Sequence, residues 1–187
     1  RHPAVLANWA ATVDHLSGGR LTVGLGLGVD GGGELSRFDE VVDPRVRGEI
    51  LDEAAEVLAE AWCGEHVEHH GRHLTVDGVT FSPRPVQRPR LPMWFAARAR
   101  ALRPVRRAAA YDGIYIIEVG VPELERALDA VREERGDLDG FDVAVRVSPF
   151  DDPALLEVPG VTWALHSCAP DVALDDVLEI AAAGPSA

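Results

Sequence analysis

Five short apolar runs alternate with helix-patterned segments along this chain, and that alternation restricts its fold more than any other feature. The runs cover residues 20–26, 92–97, 113–118, 141–149 and 161–168. Strands joined by helical crossovers run parallel, and their apolar faces need helices packed against them. An α/β architecture with a parallel sheet follows, either open or closed into a barrel.

The local signals agree. Pro3 opens a helix in which Val5, Leu6, Trp9, Val13 and Leu16 recur at helical spacing, and Gly18-Gly19 close it. The first strand, 20–26, ends in alternating glycines. After a glycine-rich loop, Asp43 and Pro44 form an N-cap and first-turn pair for a helix with Ile50, Leu51, Ala54, Val57, Leu58 and Trp62 on one face, stopped by Gly64. "HVEHHGRHLTVDGVTF" alternates and carries turn signals at His70-Gly71 and Asp77-Gly78, predicting a small antiparallel excursion. A proline-stiffened run, "PRPVQRPRLP", follows. Helices are then expected over 104–111, 122–135 and 171–183, with a short turn or helix after 141–149. No linker divides the chain, so one domain over 1–187 is expected, with a hairpin insertion at about 65–91.

Composition narrows the function. The 187 residues are 47% hydrophobic and 26% charged, ordinary for a globular protein. No run approaches the roughly 18 apolar residues of a membrane span, and no charged-then-apolar leader opens the chain, so a cytoplasmic protein with no membrane partner is expected. Cys63 and Cys168 lack metal-ligand or redox spacing and suit reduced thiols. A formal charge of −13 repels polyanions, which argues against nucleic acid as a partner. All 18 basic residues are arginine, so Schiff-base and P-loop lysine chemistry are excluded.

The glycines after the first strand admit three readings. Gly26-Leu27-Gly28-Val29-Asp30-Gly31 spells G-x-G-x-x-G, a dinucleotide fingerprint, but the next patterned helix starts only at Pro44, after more than a dozen residues. The glycines could simply turn the chain. Alternatively, they let backbone approach a flat ligand at the carboxyl end of a strand, where α/β barrels place their sites.

In order along the chain, "ATVDHLSGGRLTVGLGLG", "DPRVRGEILDEAAEVLAEAWCGE", "HHGRHLTVDGVTFSPRPVQRPRLPMWFA" and "RPVRRAAAYDGIY" resemble the luciferase-like monooxygenase family of flavin- and deazaflavin-dependent oxidoreductases. The resemblance implies a (β/α)8 TIM-type barrel with a small insertion after its fourth helix, binding FMN or the 5-deazaflavin coenzyme at the strand carboxyl ends. NAD(P)H as reductant, a small organic substrate and a homo-oligomer are further implications. Five strands fall short of the eight a barrel needs, so the expectation is a partial barrel whose first three βα units precede Arg1. Two alternatives remain: a catalytically inert, cofactor-binding or interaction relative of the family, and an open doubly wound dinucleotide-binding domain.

Matched to the family pattern, Gly26 and Gly28 would lie against the cofactor ring or its side chain, with a tight turn the alternative for Gly28. Phe95, Ala96, Ala97 and Arg98 would end the next barrel strand, where Ala96-Ala97 replaces a glycine pair common in relatives. Arg98, Arg100 and Arg103 precede the expected helix at Pro104 and could converge on a phosphate, or merely solvate a loop. Ile116 and Ile117 would reach the ring edge or serve the core. His166, at the end of the last strand, is the candidate for proton chemistry. His66, His69, His70 and His73 crowd the hairpin without completing a metal-ligand spacing, so no metal is expected. His15 is expected to bond local backbone at its helix end.

Overall fold

Helix α1 (Pro3–Ser17) begins with Pro3 behind an N-cap His2, whose Nδ1 accepts from the Ala4 N–H. In the computed structural model, residues 2–98, 100–148, 153–168 and 172–183 are described. Gly18 ends α1 in the left-handed conformation (φ 67°), where glycine has no Cβ to clash. The buried stripe of α1 is Ala7, Ala10, Ala11 and Asp14, not the larger residues picked out by periodicity. Val5, Trp9, Val13 and Leu16 face outward, Trp9 being 59% and Leu16 83% exposed. Alanines permit close approach to helix α2 (Pro44–Cys63), whose buried Trp62 donates to the Ala7 carbonyl at 3.2 Å. Asp43 caps α2 by accepting from the N–H groups of Arg45 and Val46, as the sequence predicts.

The main sheet contains β1 (Val23–Leu25), β4 (Met93–Arg98), β5 (Gly113–Ile117), β6 (Asp142–Val147) and β7 (Trp163–His166), in that spatial order. Every pairing is parallel, so all carboxyl ends lie along one edge of the sheet. β1 is shorter than expected because only Val23, Gly24 and Leu25 pair with β4. Helices α3 (Leu102–Ala109), α4 (Val121–Arg135), the short α5 (Ala154–Glu157) and α6 (Leu174–Ala183) follow β4, β5, β6 and β7 in turn. α3 starts before Pro104, and Asp171, the expected start of α6, lies outside the described residues.

Between α2 and β4 the antiparallel hairpin β2 (His66–His70) and β3 (Thr75–Thr80) projects as a separate two-stranded sheet. Its turn is at Gly71. Asp77-Gly78 is not a second turn. Val67 pairs with Val79 and His69 with Val76, which sets two residues of β3 against one of β2, and Gly78 takes up the resulting bulge at φ 67°.

One face of the main sheet carries Val23, Leu25, Met93, Phe95, Ile114, Ile116, Val143 and Val145, which share a single core with α1 to α4. Burying a side chain of this size contributes about 1.5–3 kcal/mol. The opposite face carries Gly24, Trp94, Ala96 and Tyr115, and that asymmetry positions the site.

Candidate functional site

Alternate residues of a strand point to opposite faces, so the parallel registers assign every side chain to one face. Opposite the core, Gly24 stands beside Trp94, and Ala96 beside Tyr115. A cavity of about 290 Å³ opens on this face, lined by Gly24, Gly26, Trp94, Ala96, Tyr115 and Leu165, with Leu25. Its volume is at the small end of ligand pockets, about 300–1,000 Å³. Gly24 has no atom within 4 Å of where a Cβ would stand, while at Gly26 a Cβ would meet that of Ala96 at 3.2 Å. Two glycines and an alanine thus make a floor, with Trp94, Tyr115 and Leu165 as walls.

The aromatic wall depends on a third glycine. A Cβ on Gly113 would stand 2.6 Å from Trp94 Cδ1 and 2.7 Å from the Asp142 carbonyl oxygen. Its absence lets the Trp94 indole lie across β5 and reach Trp163, ring centroids 5.8 Å apart. Trp163 Nε1 donates to Asp142 at 2.9 Å. Trp94 Nε1 is buried with no acceptor among the described residues.

Of the residues singled out in sequence, Gly26 and Ala96 line the pocket. Phe95, Ala97 and Ile116 do not present side chains to it. They are 1%, 4% and 0% exposed in the core beneath the helices, and Phe95 packs on Tyr111 with centroids 4.7 Å apart. Taking consecutive residues of one strand for a single site ignores the two-residue alternation. The same rule, counted back from Gly26 and Ala96, points to Gly24 and Trp94. Gly28 lies beyond the strand in the left-handed conformation, φ 69°.

Arg98 is on the pocket face at the carboxyl edge, its Nε 2.9 Å from Glu118, both side chains largely exposed. Glu118, a non-glycine residue, has φ 54°. Arg100 reaches Glu123 at 3.9 Å. Arg103 turns instead toward α2, where Asp52 lies 3.4 Å away, sharing that carboxylate with Arg107. The three arginines therefore do not converge. His166 pairs in register with Val147, on the opposite face to Leu165, so its ring does not address the pocket. Ile117, by contrast, shares the pocket face with Arg98.

The hairpin histidines are spent on neighbours. His73 Nε2 lies 2.8 Å from Glu49, His69 Nε2 3.5 Å from Glu53, His70 Nε2 3.5 Å from Glu68, and His66 Nδ1 3.3 Å from the Thr80 hydroxyl. Burial pushes the Glu53 carboxyl up, but the backbone N–H groups of His73, Leu74 and Arg72 outweigh it and hold the group below the ordinary value of 4.5. His15 bonds not local backbone but the Arg84 carbonyl, at 2.9 Å. Beside it, fully buried Asp14 accepts from the N–H groups of Val86 (2.7 Å) and Gln87 (3.1 Å) and from the Gln87 side chain (2.8 Å), fastening the proline-rich run to α1.

No helix begins within the glycines after β1. The segment up to Pro44 holds only a short 3₁₀ turn, Ser36–Phe38. A pyrophosphate-binding helix of the dinucleotide type is therefore not formed there.

The sequence matches the luciferase-like monooxygenase family over residues 1–153. It is 36% identical over 137 residues to an uncharacterized protein, y4wF, of Sinorhizobium fredii, covering 72% of this chain and 38% of that one. To the oxygenase component of a flavin-dependent trigonelline monooxygenase from Acinetobacter baylyi it is 35% identical over 97 residues, 52% of this chain and 26% of that one. Among solved structures, the monooxygenase RslO1 from Streptomyces bottropensis shares 27% identity at a TM-score of 0.67, over 79% of this chain and 46% of that one. A coenzyme F420 dependent tetrahydromethanopterin reductase from Methanopyrus kandleri, 23% identical, shares the fold at a TM-score of 0.64, over 84% and 50%. The chain thus spans half the length or less of these relatives, and its five parallel strands, with α1 to α4 packed on one face, have the arrangement of part of a TIM-type barrel. Because the family match takes in residues 1–153 of the 187, the chain belongs to the luciferase-like monooxygenase family.

Proposed function

We propose that this chain is the cofactor-binding portion of an oxidoreductase that uses FMN or a 5-deazaflavin and acts on a small organic substrate. The observation that carries the reading is the floor of Gly24, Gly26 and Ala96 between aromatic walls, on the one face of the sheet that the helices leave open. A flat ring suits such a surface, since backbone without side chains permits close approach and Trp94 and Tyr115 offer apolar contact. When bound, a flavin or deazaflavin supplies a ring that accepts or gives up a hydride.

The chain's own residues orient that ring and keep water from it. Gly24, Gly26 and Ala96 would take one face, with Tyr115 and Leu165 alongside. Arg98 is the candidate for a phosphate. Its exposed pair with Glu118 is of a kind worth only about 0–1 kcal/mol, so exchanging that partner for a phosphate costs little. Among the described residues Tyr115 carries the only titratable side chain lining the pocket, which leaves the hard chemistry to the cofactor.

Anaerobic titration with FMN, the 5-deazaflavin coenzyme and NAD(P)H tests the reading. Saturable binding of one flavin-type ligand is expected, with NAD(P)H serving as reductant where turnover is seen. Binding of NAD(P)H alone would reject it, and tight flavin binding with no redox turnover would favour the inert relative.

A further inference from the structure

We propose that Arg47 of α2 is a positioning residue for the pocket, holding the segment after β1 so that Gly26 keeps its place in the pocket's floor. This rests on the flavin-site reading above. Gly26 lines the pocket, and from there the chain enters a long connection rich in glycine. One and two residues on, that connection is gripped from outside. Arg47 Nη1 donates to the Leu27 carbonyl at 2.9 Å and to the Gly28 carbonyl at 3.3 Å. The Nε of the same guanidinium is buried with no acceptor among the described residues, a cost that the two carbonyl contacts offset.

The grip is itself anchored. Asp43 fixes the start of α2 by accepting from Arg45 and Val46. From the other side, Arg107 of α3 donates to the Gly48 carbonyl at 3.3 Å and pairs with Asp52. The connection also closes on itself, since Asp30 accepts from the Leu35 N–H at 2.8 Å and the Ser36 N–H at 3.0 Å, and Arg47 adds to the field that keeps that carboxylate ionised. A continuous path runs from α3 through α2 to the Leu27 and Gly28 carbonyls, and ends at Gly26. Released from it, a glycine-rich segment regains its backbone freedom and must be ordered again whenever a ligand binds.

The test compares Arg47→Ala, Arg47→Lys and Arg45→Ala with the parent chain by amide exchange, thermal unfolding and FMN titration. Arg45 is exposed and two residues away, so its variant removes the same charge without touching the grip. In Arg47→Ala, exchange across residues 27–36 is expected to quicken at least tenfold while β5 and β6 stay protected. FMN should bind at least tenfold more weakly with little change in melting temperature. Arg47→Lys should recover part of both effects, and Arg45→Ala should show neither. Unchanged exchange in Arg47→Ala overturns the grip, and faster exchange with unchanged FMN affinity overturns its role at the pocket. If the parent chain takes up neither FMN nor a deazaflavin, the flavin reading fails and the exchange result alone decides whether Arg47 holds the segment.

Discussion

Gly24 and Gly113 share a face of the sheet yet tolerate opposite things. Open space stands over Gly24, whereas a Cβ on Gly113 would meet Trp94 and the Asp142 carbonyl. Gly24→Val should therefore leave stability within about 0.5 kcal/mol of the parent while filling the pocket and weakening flavin binding at least tenfold, measured by urea unfolding and ligand titration. Gly113→Ala should cost about 1–3 kcal/mol and disturb the Trp94–Trp163 contact, visible as a shift in tryptophan emission. A stable Gly113→Ala variant with unchanged emission would show that β5 yields more readily than its backbone neighbour suggests. At this scale the sequence was half legible. Gly26 and Ala96 are chemically conspicuous, but Arg47 and Tyr115 look like any arginine or tyrosine until the fold brings one to the Leu27 carbonyl and the other to the pocket.

Among the elements, α2 ties most of the molecule together. One face packs on the core, its first turns grip the loop after β1, and Glu49 and Glu53 receive the hairpin turn. Glu53 accepts from the N–H groups of Arg72 (2.9 Å), His73 (3.0 Å) and Leu74 (2.8 Å), so a single carboxylate organises the return from β2 to β3. For Glu49, the bond from His73, followed by the charge of Arg72, keeps the carboxyl low against the opposing effect of burial. A group whose folded pKa lies below its unfolded value contributes stability above the unfolded value, and that contribution disappears as pH falls through the folded one. The urea midpoint of Glu53→Gln should accordingly lie below that of the parent at neutral pH. The gap should close on acidification from about 4.5 downward. A gap independent of pH would mean that Glu53 acts through packing alone. Helix positions were readable because caps and breakers are local: Asp43, Pro44 and Gly64 mark α2 to the residue. The buried face of α2 was readable too, with Val57, Leu58 and Trp62 inside as their spacing predicts, but that of α1 was not, since its alanines win the interior for their closeness and no periodicity of large residues records that.

Over the whole molecule, β1 pairs only with β4 and β7 only with β6 among the described residues, and outward-facing Trp9, Leu16 and Leu174 lie on α1 and α6. Unpaired strand edges beside apolar surface favour association. The 187-residue chain by itself should sediment as more than a monomer, and dilution should lower its melting temperature. A monodisperse monomer with a sharp, concentration-independent transition would contradict this. Parallel order was foreseeable from the alternation of strand and helix, because chirality and connection length leave few other choices, whereas the pocket required knowing which strands stand side by side. The two faces of the sheet differ in character: Val23, Met93, Phe95, Ile114 and Val143 stand at one set of positions, Gly24, Trp94, Ala96 and Tyr115 at the other. Since the sets interleave and meet at Leu25, drift elsewhere in one leaves the other nearly untouched, and a lineage built this way can exchange the molecules it handles while inheriting most of its scaffold.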